Sequence, residues 1–458
     1  MLPHNDKAAK RSCLILSILI FVVLPFSMIA LGLLLWFGRE SFGRSQLKAR
    51  IASLAKQGYP VDNASVESQY RDRADPTHTN AWLDLLNTVT SPDFNASSKG
   101  IPYLGIDVET PILKTDDWEE EEVTHAFLEK WKSLHAEVLR LSVDAKPVRF
   151  PIVFKSFATL LPETHNVRQL ARLLQLHGRV GLRARDSAKV RDAIDGLLGQ
   201  SRVNADEPFL VSQLVSMAID GIAIGLLKDA IQHDALSESD LLVLLPKVLA
   251  STTIGKEWQT AIAGERGTAL LYFQDPKEAQ LLDVRSFPAR SRDGLFYIEL
   301  TQEVAEIPTE DIVEFKTKLA DIESKLKAKA AESWLSRFDT ILTLQITPAF
   351  SAAGDAFIRR ALQHRIAALA IGIRIYEDRH GKFPKSLDDL SALPMDVKQL
   401  MPTINRTFGY RLDGENARLW GGTYQDAFSI PDEPPSIIAG EPDNTGKAFW
   451  NWEFLDRK

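Results

Sequence analysis

Between Ser12 and Gly38 the chain carries no charged residue, and the run is rich in Leu, Ile, Val and Phe. As a helix, about 20 such residues cross the hydrocarbon core of a bilayer. Pro25 is tolerated in a membrane helix, and Trp36 falls at the far end, where an indole suits the interface. A cleaved signal peptide has a shorter apolar core and small residues before its cut site. This run is longer and no Ala-x-Ala site follows it, so an uncleaved anchor is expected.

Orientation rests on charge. Lys7, Lys10 and Arg11 precede the run; Arg39, Arg44, Lys48 and Arg50 follow it, so the counts nearly balance. Arg11 lies directly against the apolar core, as in a signal-anchor, which favours a cytoplasmic N-terminus. The expected order is a cytoplasmic tail over 1–11, a transmembrane helix over 12–38 and a helical domain over 39–345. A long helix with a small α+β tail follows over 346–458. The expected location is the inner (cytoplasmic) membrane, with a single pass and the large domain outside the cytoplasm.

The one cysteine, Cys13, lies inside the apolar run. The remainder of the chain therefore holds no disulfide, no Cys-ligated zinc and no thiol nucleophile. A net charge of −7 and a pI near 5.8 weigh against a nucleic-acid partner, which needs a concentrated basic surface. No cofactor is expected.

Past the anchor the periodicity is helical. Leu47, Ile51, Leu54 and Ala55 share a face, with Gly58 and Pro60 as the stop. Trp82, Leu85, Leu86 and Val89 form a second stripe. Residues 92–118, with their Pro and Gly, read as an irregular loop. One helix carrying Val123, Phe127, Trp131, Leu134, Val138 and Leu141 is then expected behind an acidic start at 116–122. Helices are predicted over 166–183 and, past a break at 185–187, through Val190 to Leu198. A third, over 207–232, is apolar nearly all round and should be buried. Ser237 and Asp240 make a capping box for a fourth. A Pro- and Arg-rich connection over 273–308 precedes a long helix over 309–345. Pro348 is expected to break the chain before a last helix over 352–380, and two short strands turn at Asp413–Gly414. The fold class is therefore mainly α. It is an irregular bundle or α-solenoid-like helix pairs, with a small β-hairpin at the C-terminus.

Two stretches look familiar. Ile375-Tyr376, Gly381, Phe383-Pro384, Ser386-Leu387 and Leu390, at the end of a long helix, resemble the helix-to-sheet junction of type II secretion pseudopilins. The N-terminus departs from that family, because it lacks the Gly-Phe cleavage site and the Glu near the start of the hydrophobic segment. The chain is therefore not expected to be a pilus subunit. More widely, the anchor, Leu54-x-x-x-Gly58-x-Pro60-Val61, Asp206 to Leu214, Gly264-Glu265-Arg266 and the same tail resemble membrane-anchored bacterial proteins of a planctomycete type. That resemblance implies a fold and an envelope location, and no activity.

Chemistry is sparse in the sequence. No phosphate-binding Gly-x-x-x-x-Gly-Lys-Ser/Thr loop, His-Glu-x-x-His pair or Gly-x-Ser-x-Gly elbow is present. His125 and His135 would share a helix but lie nearly three turns apart, too far for one metal. The best buried polar candidates are Gln213 and Asp220, two turns apart on one face of an apolar helix. Glu265 and Arg266 are expected to pair with Asp220. Such a set is either a carboxylate site in a helical groove or a network holding helices in register. Asp432, Glu433, Glu441 and Asp443 are oxygen ligands in loops and candidates for calcium, at a spacing that fits no defined calcium loop. The sequence thus favours a membrane-bound interaction or scaffold protein with a protein partner, tied to the membrane by 12–38. The alternative is an envelope hydrolase using carboxylates in a helical groove.

Overall fold

The computed structural model describes residues 24–72, 74–105, 118–144, 146, 148–156, 159–274, 290–333, 336–337, 339–401, 408–422 and 451–454. The protein is mainly helical with one small antiparallel sheet. The first part of the apolar run, residues 12–23, and the four calcium candidates Asp432, Glu433, Glu441 and Asp443 lie outside the described residues.

The first helix, α1 (Leu24–Lys56), joins what the sequence reads as two elements. Nothing between Gly38 and Leu47 breaks it, because Arg39 to Gln46 holds no proline and adequate helix formers. Its two halves differ sharply. Phe26, Leu34 and Phe37 are 69%, 70% and 68% exposed, whereas Leu47 and Leu54 are 1% and 0% exposed.

Next come α2 (Asn63–Arg71) and α3 (Pro76–Val89). The α3 start follows the expected chemistry: Asp75 accepts from the His78 amide at 3.0 Å, and Pro76 occupies the first turn. Its stripe of Trp82, Leu85, Leu86 and Val89 is buried. The supposed loop after it begins with a short helix, α4 (Pro92–Ser98), capped by Ser91 and held by buried Phe94. The single helix expected around Trp131 is two, α5 (Glu121–Lys130) and α6 (Lys132–Val143), with Trp131 at the break. His125 and His135 therefore sit on different helices.

The clearest sequence signals hold. Helices α7 (Pro162–Arg183) and α8 (Ser187–Gln200) meet at a turn where Arg185 has φ 54° and Asp186 caps α8. Helix α9 (Leu210–Gln232) is buried, as its apolar circumference requires. Among the described residues it is the one helix long and apolar enough to cross a membrane, yet 67% of that window is buried within the protein. The Ser237–Asp240 box starts α10 (Glu238–Leu249), and α11 (Lys256–Gln274) follows.

Three corrections concern the later helices. The connection expected over 273–308 contains α12 (Arg290–Ala305), whose Tyr297, Ile298, Thr301 and Val304 are all fully buried. Arg and Gly residues at its start hide that stripe. The helix expected over 309–345 ends early, as α13 (Ile312–Ala331). The final helix, α14 (Ile341–His380), then runs straight through Pro348 and across the supposed domain boundary at 345/346. A proline removes one backbone hydrogen bond and crowds the preceding turn, at about 3 kcal/mol. Burial of Leu342, Phe350, Phe357 and Ile358 on either side offsets that.

Helix α14 packs against α9, α10, α12 and α13, which come from distant parts of the chain. Repeat stacking, in which each unit touches only its neighbours, does not describe this core. Trp258 of α11 marks its middle. Its ring meets Phe315 and Phe357 edge-on at 5.1 and 5.3 Å, and its indole donates to the Val304 carbonyl at 2.9 Å. Four helices thereby share one side chain.

At the far end Gly381 takes φ 65° and closes α14, a conformation that costs a residue without Cβ little. A 3-10 helix (Leu387–Ala392) and α15 (Val397–Leu400) lead to β1 (Gly409–Asp413) and β2 (Asn416–Trp420). Asp413 pairs with Asn416 across the expected turn. A third strand, β3 (Asn451–Phe454), joins β2 and makes the sheet order β1-β2-β3.

Candidate functional site

Helix α9 carries two separate polar networks. The first is centred on Asp220, in the middle of the helix and 1% exposed. Arg360 of α14 donates from Nε to its carboxylate at 2.6 Å, and His364 Nε2 stands 3.6 Å away. His364 Nδ1 lies 3.0 Å from the Val248 carbonyl, which can only accept, so that nitrogen carries a proton. Arg360 also reaches Ser251 at 3.2 Å, and Arg365 donates to the Thr252 carbonyl at 2.8 Å. Burial alone would raise the Asp220 pKa. The Arg360 guanidinium, with His364 beside it, overcomes that and holds the carboxyl below its ordinary range. Asp220 is thus a fixed anion that binds α14 to α9 and to the end of α10.

The second network lies two turns earlier, at the start of α9. Glu265 of α11 accepts from the Leu210 amide at 3.0 Å and so caps the helix from outside. Gln213 folds back, its amide donating to the carbonyls of Asn204, Ala205 and Glu207 at 3.3, 3.1 and 3.0 Å. Glu207, 1% exposed, accepts from Thr164 at 2.8 Å, and Arg149 donates to Asp206 at 2.9 Å. Burial raises the pKa of both Glu207 and Glu265 to about 7, against the lowering effect of their hydrogen bonds. A cavity of about 370 Å³ is bounded by their sequence neighbours Asp206, Pro208 and Gly264 together with Tyr59, Tyr70 and Arg149, while neither glutamate lines it.

The expected pairing of Asp220 with Glu265 and Arg266 does not form. Seven residues keep Gln213 and Asp220 on one face of α9, but over two turns (roughly 10 Å) the two meet different neighbours. Arg266 is fully buried, and its three guanidinium nitrogens have no hydrogen-bond partner among the described residues. It lies over the Tyr59 ring at 4.9 Å, and burial lowers its pKa.

Sequence reasoning missed Arg360 and His364. Their signal was present: a cation and an imidazole one turn apart inside an otherwise apolar stripe require a buried anion. It also missed the stacking of His135 on His177, at a ring separation of 3.6 Å. Burial lowers these two imidazoles to about 3 and about 4. Among the described residues no three His, Cys, Asp or Glu side chains gather as a metal site.

Compared with known proteins, the chain matches no family model, no curated protein and no solved structure.

Proposed function

We propose that the chain is a membrane-tethered interaction protein whose folded body lies outside the cytoplasm. The observation that carries this reading is the first half of α1. Phe26, Met28, Ile29, Leu31, Leu34 and Leu35 are each more than half exposed on one continuous helix, directly after the uncharged residues 12–23. An apolar surface of that extent is not stable in water, and a bilayer is the partner its length fits.

The tether is stiff. From Arg39 onward α1 is fastened to the body: Arg39 pairs with Asp339, Glu40 accepts from Ser291, and Arg50 donates to Gln302 at 2.7 Å. A body held in this way sits at a fixed height and angle above the membrane, which suits docking to a neighbouring envelope component. The tail supports the same reading. Its closed helix end at Gly381, its Ser386–Asp389 capping box and its small sheet follow the order of the pseudopilin junction that it resembles.

Topology is the first test. A phosphatase fused to the C-terminus is expected to be active and a green fluorescent protein fusion dark; the reverse pattern would remove the proposed location. In-cell crosslinking of the full chain is then expected to recover a reproducible envelope partner. A second reading, acid–base hydrolysis, draws on Glu207 and Glu265, whose pKa near 7 suits proton transfer. A hydrolytic activity lost in Glu207→Gln with folding retained would favour it. Asp220 has no part in that chemistry, because its charge is already neutralised.

A further inference from the structure

A different cavity, of about 450 Å³, opens where the ends of α6, α8 and α10 meet the first turn of α11. Its floor is apolar, with Leu141, Val148 and Leu198 all buried. Gly199 makes the floor close: a Cβ there would stand 1.9 Å from the Ser142 carbonyl oxygen, so only glycine lets α8 rest on the end of α6. The rim is cationic, with Lys146, Arg149, Arg202, Lys247 and Lys256.

Three of these cations are already neutralised. Arg149 pairs with Asp206 at 2.9 Å, Lys146 with Asp144 at 3.1 Å, and Lys247 with Asp195. Arg202 and Lys256 are exposed and have no carboxylate partner among the described residues, and Glu257 is the one rim carboxylate without a cation of its own. Below the rim, Ser142 is 5% exposed and its hydroxyl has no hydrogen-bond partner among the described residues. Apolar walls, a few placed polar groups and this volume are the features of a small-molecule site.

We propose that this cavity binds a small soluble organic anion, an apolar body bearing one carboxylate. Arg202 and Lys256 hold the charge at the rim. The apolar floor supplies affinity and the cations supply selectivity for the charged form.

The test is calorimetric titration of the full chain in lipid nanodiscs, with empty nanodiscs as the blank. The probes are 4-phenylbutyrate and its uncharged amide, which share one body and differ in charge. The carboxylate is expected to bind once per chain, and the amide at least about tenfold more weakly, since hydrogen bonds to charged groups contribute more. Arg202→Gln and Lys256→Gln should each weaken the carboxylate about tenfold and leave the amide unchanged. Glu257→Gln should tighten the carboxylate, because it removes the opposing charge. These rim side chains carry no core packing, so unfolding midpoints serve as the control for fold. Absence of carboxylate binding, equal binding of the two probes, or an unchanged carboxylate affinity in both Gln variants would overturn the proposal.

Discussion

Asp220 and Arg266 are both buried charges on core helices, yet they live in opposite surroundings. Asp220 is met by Arg360 at 2.6 Å and by His364 at 3.6 Å. Arg266 lies over the face of Tyr59, and its nitrogens have no hydrogen-bond partner among the described residues. Removing a charge from water costs several kcal/mol, and only a close counter-charge with good geometry repays it. The Asp220 network therefore acts as a clamp that specifies where α14 lies, while Arg266 is a standing cost in the core. Glu265, next to Arg266 in sequence, resolves the same problem differently. Its pKa near 7 leaves it largely neutral in mildly acidic solution.

The largest expected effect breaks the clamp. Asp220→Ala leaves Arg360 and His364 buried without their anion and should cost about 3–5 kcal/mol in chemical denaturation. Adding Arg360→Met should recover much of that loss. A cost below about 1 kcal/mol for the single variant would mean that the pair does not hold α14 to α9.

Next is the pH dependence of Glu265. Its folded pKa is raised, so its stabilising contribution is complete below its ordinary value and is lost as pH rises through about 7. Glu265→Gln keeps an oxygen for the Leu210 amide but cannot ionise. The variant should therefore gain on the native chain by roughly 3 kcal/mol between pH 4.5 and 7, and by no more above that. Parallel stability curves across this window would contradict the buried placement.

Gln213→Met should cost about 2 kcal/mol, because three carbonyls of the 204–207 segment lose their donor. The smallest effect is at Arg266. Arg266→Met keeps the apolar contact with Tyr59 and removes an uncompensated charge, so thermal unfolding should be unchanged or shifted upward by about 1 kcal/mol. A destabilisation of about 2 kcal/mol or more would show that the guanidinium has a partner, and the contrast with Asp220 would collapse.

Much of the site was legible only in part. Gln213, Asp220, Glu265 and Arg266 stand out as polar residues on apolar helices, and all four are buried or capping. The pairing of Asp220 was not legible, because it depends on α14, whose Arg360 lies 140 residues beyond it; Glu265 likewise meets the Leu210 amide from another helix, 55 residues away. The same distance hid the shape of the core. Pro348 and the Arg-rich start of α12 are local signals for a break, and burial of their flanks overrides both.

Local chemistry was decided by the sequence. The Ser237–Asp240 and Ser386–Asp389 boxes, the Asp75–Pro76 start, the stop at Gly381 and the Asp413–Gly414 turn appear where the residues place them, because caps and turns depend on neighbours a few residues away. The sequence reads one apolar helix as an anchor and the other as buried; only the tertiary structure shows which elements cover the buried one. By composition, α9 is as apolar as a membrane span, but α7, α8, α11 and α14 cover it. The first half of α1 is similar in composition and has no such cover. Hydrophobicity states that a surface must leave water; it does not state what will cover it.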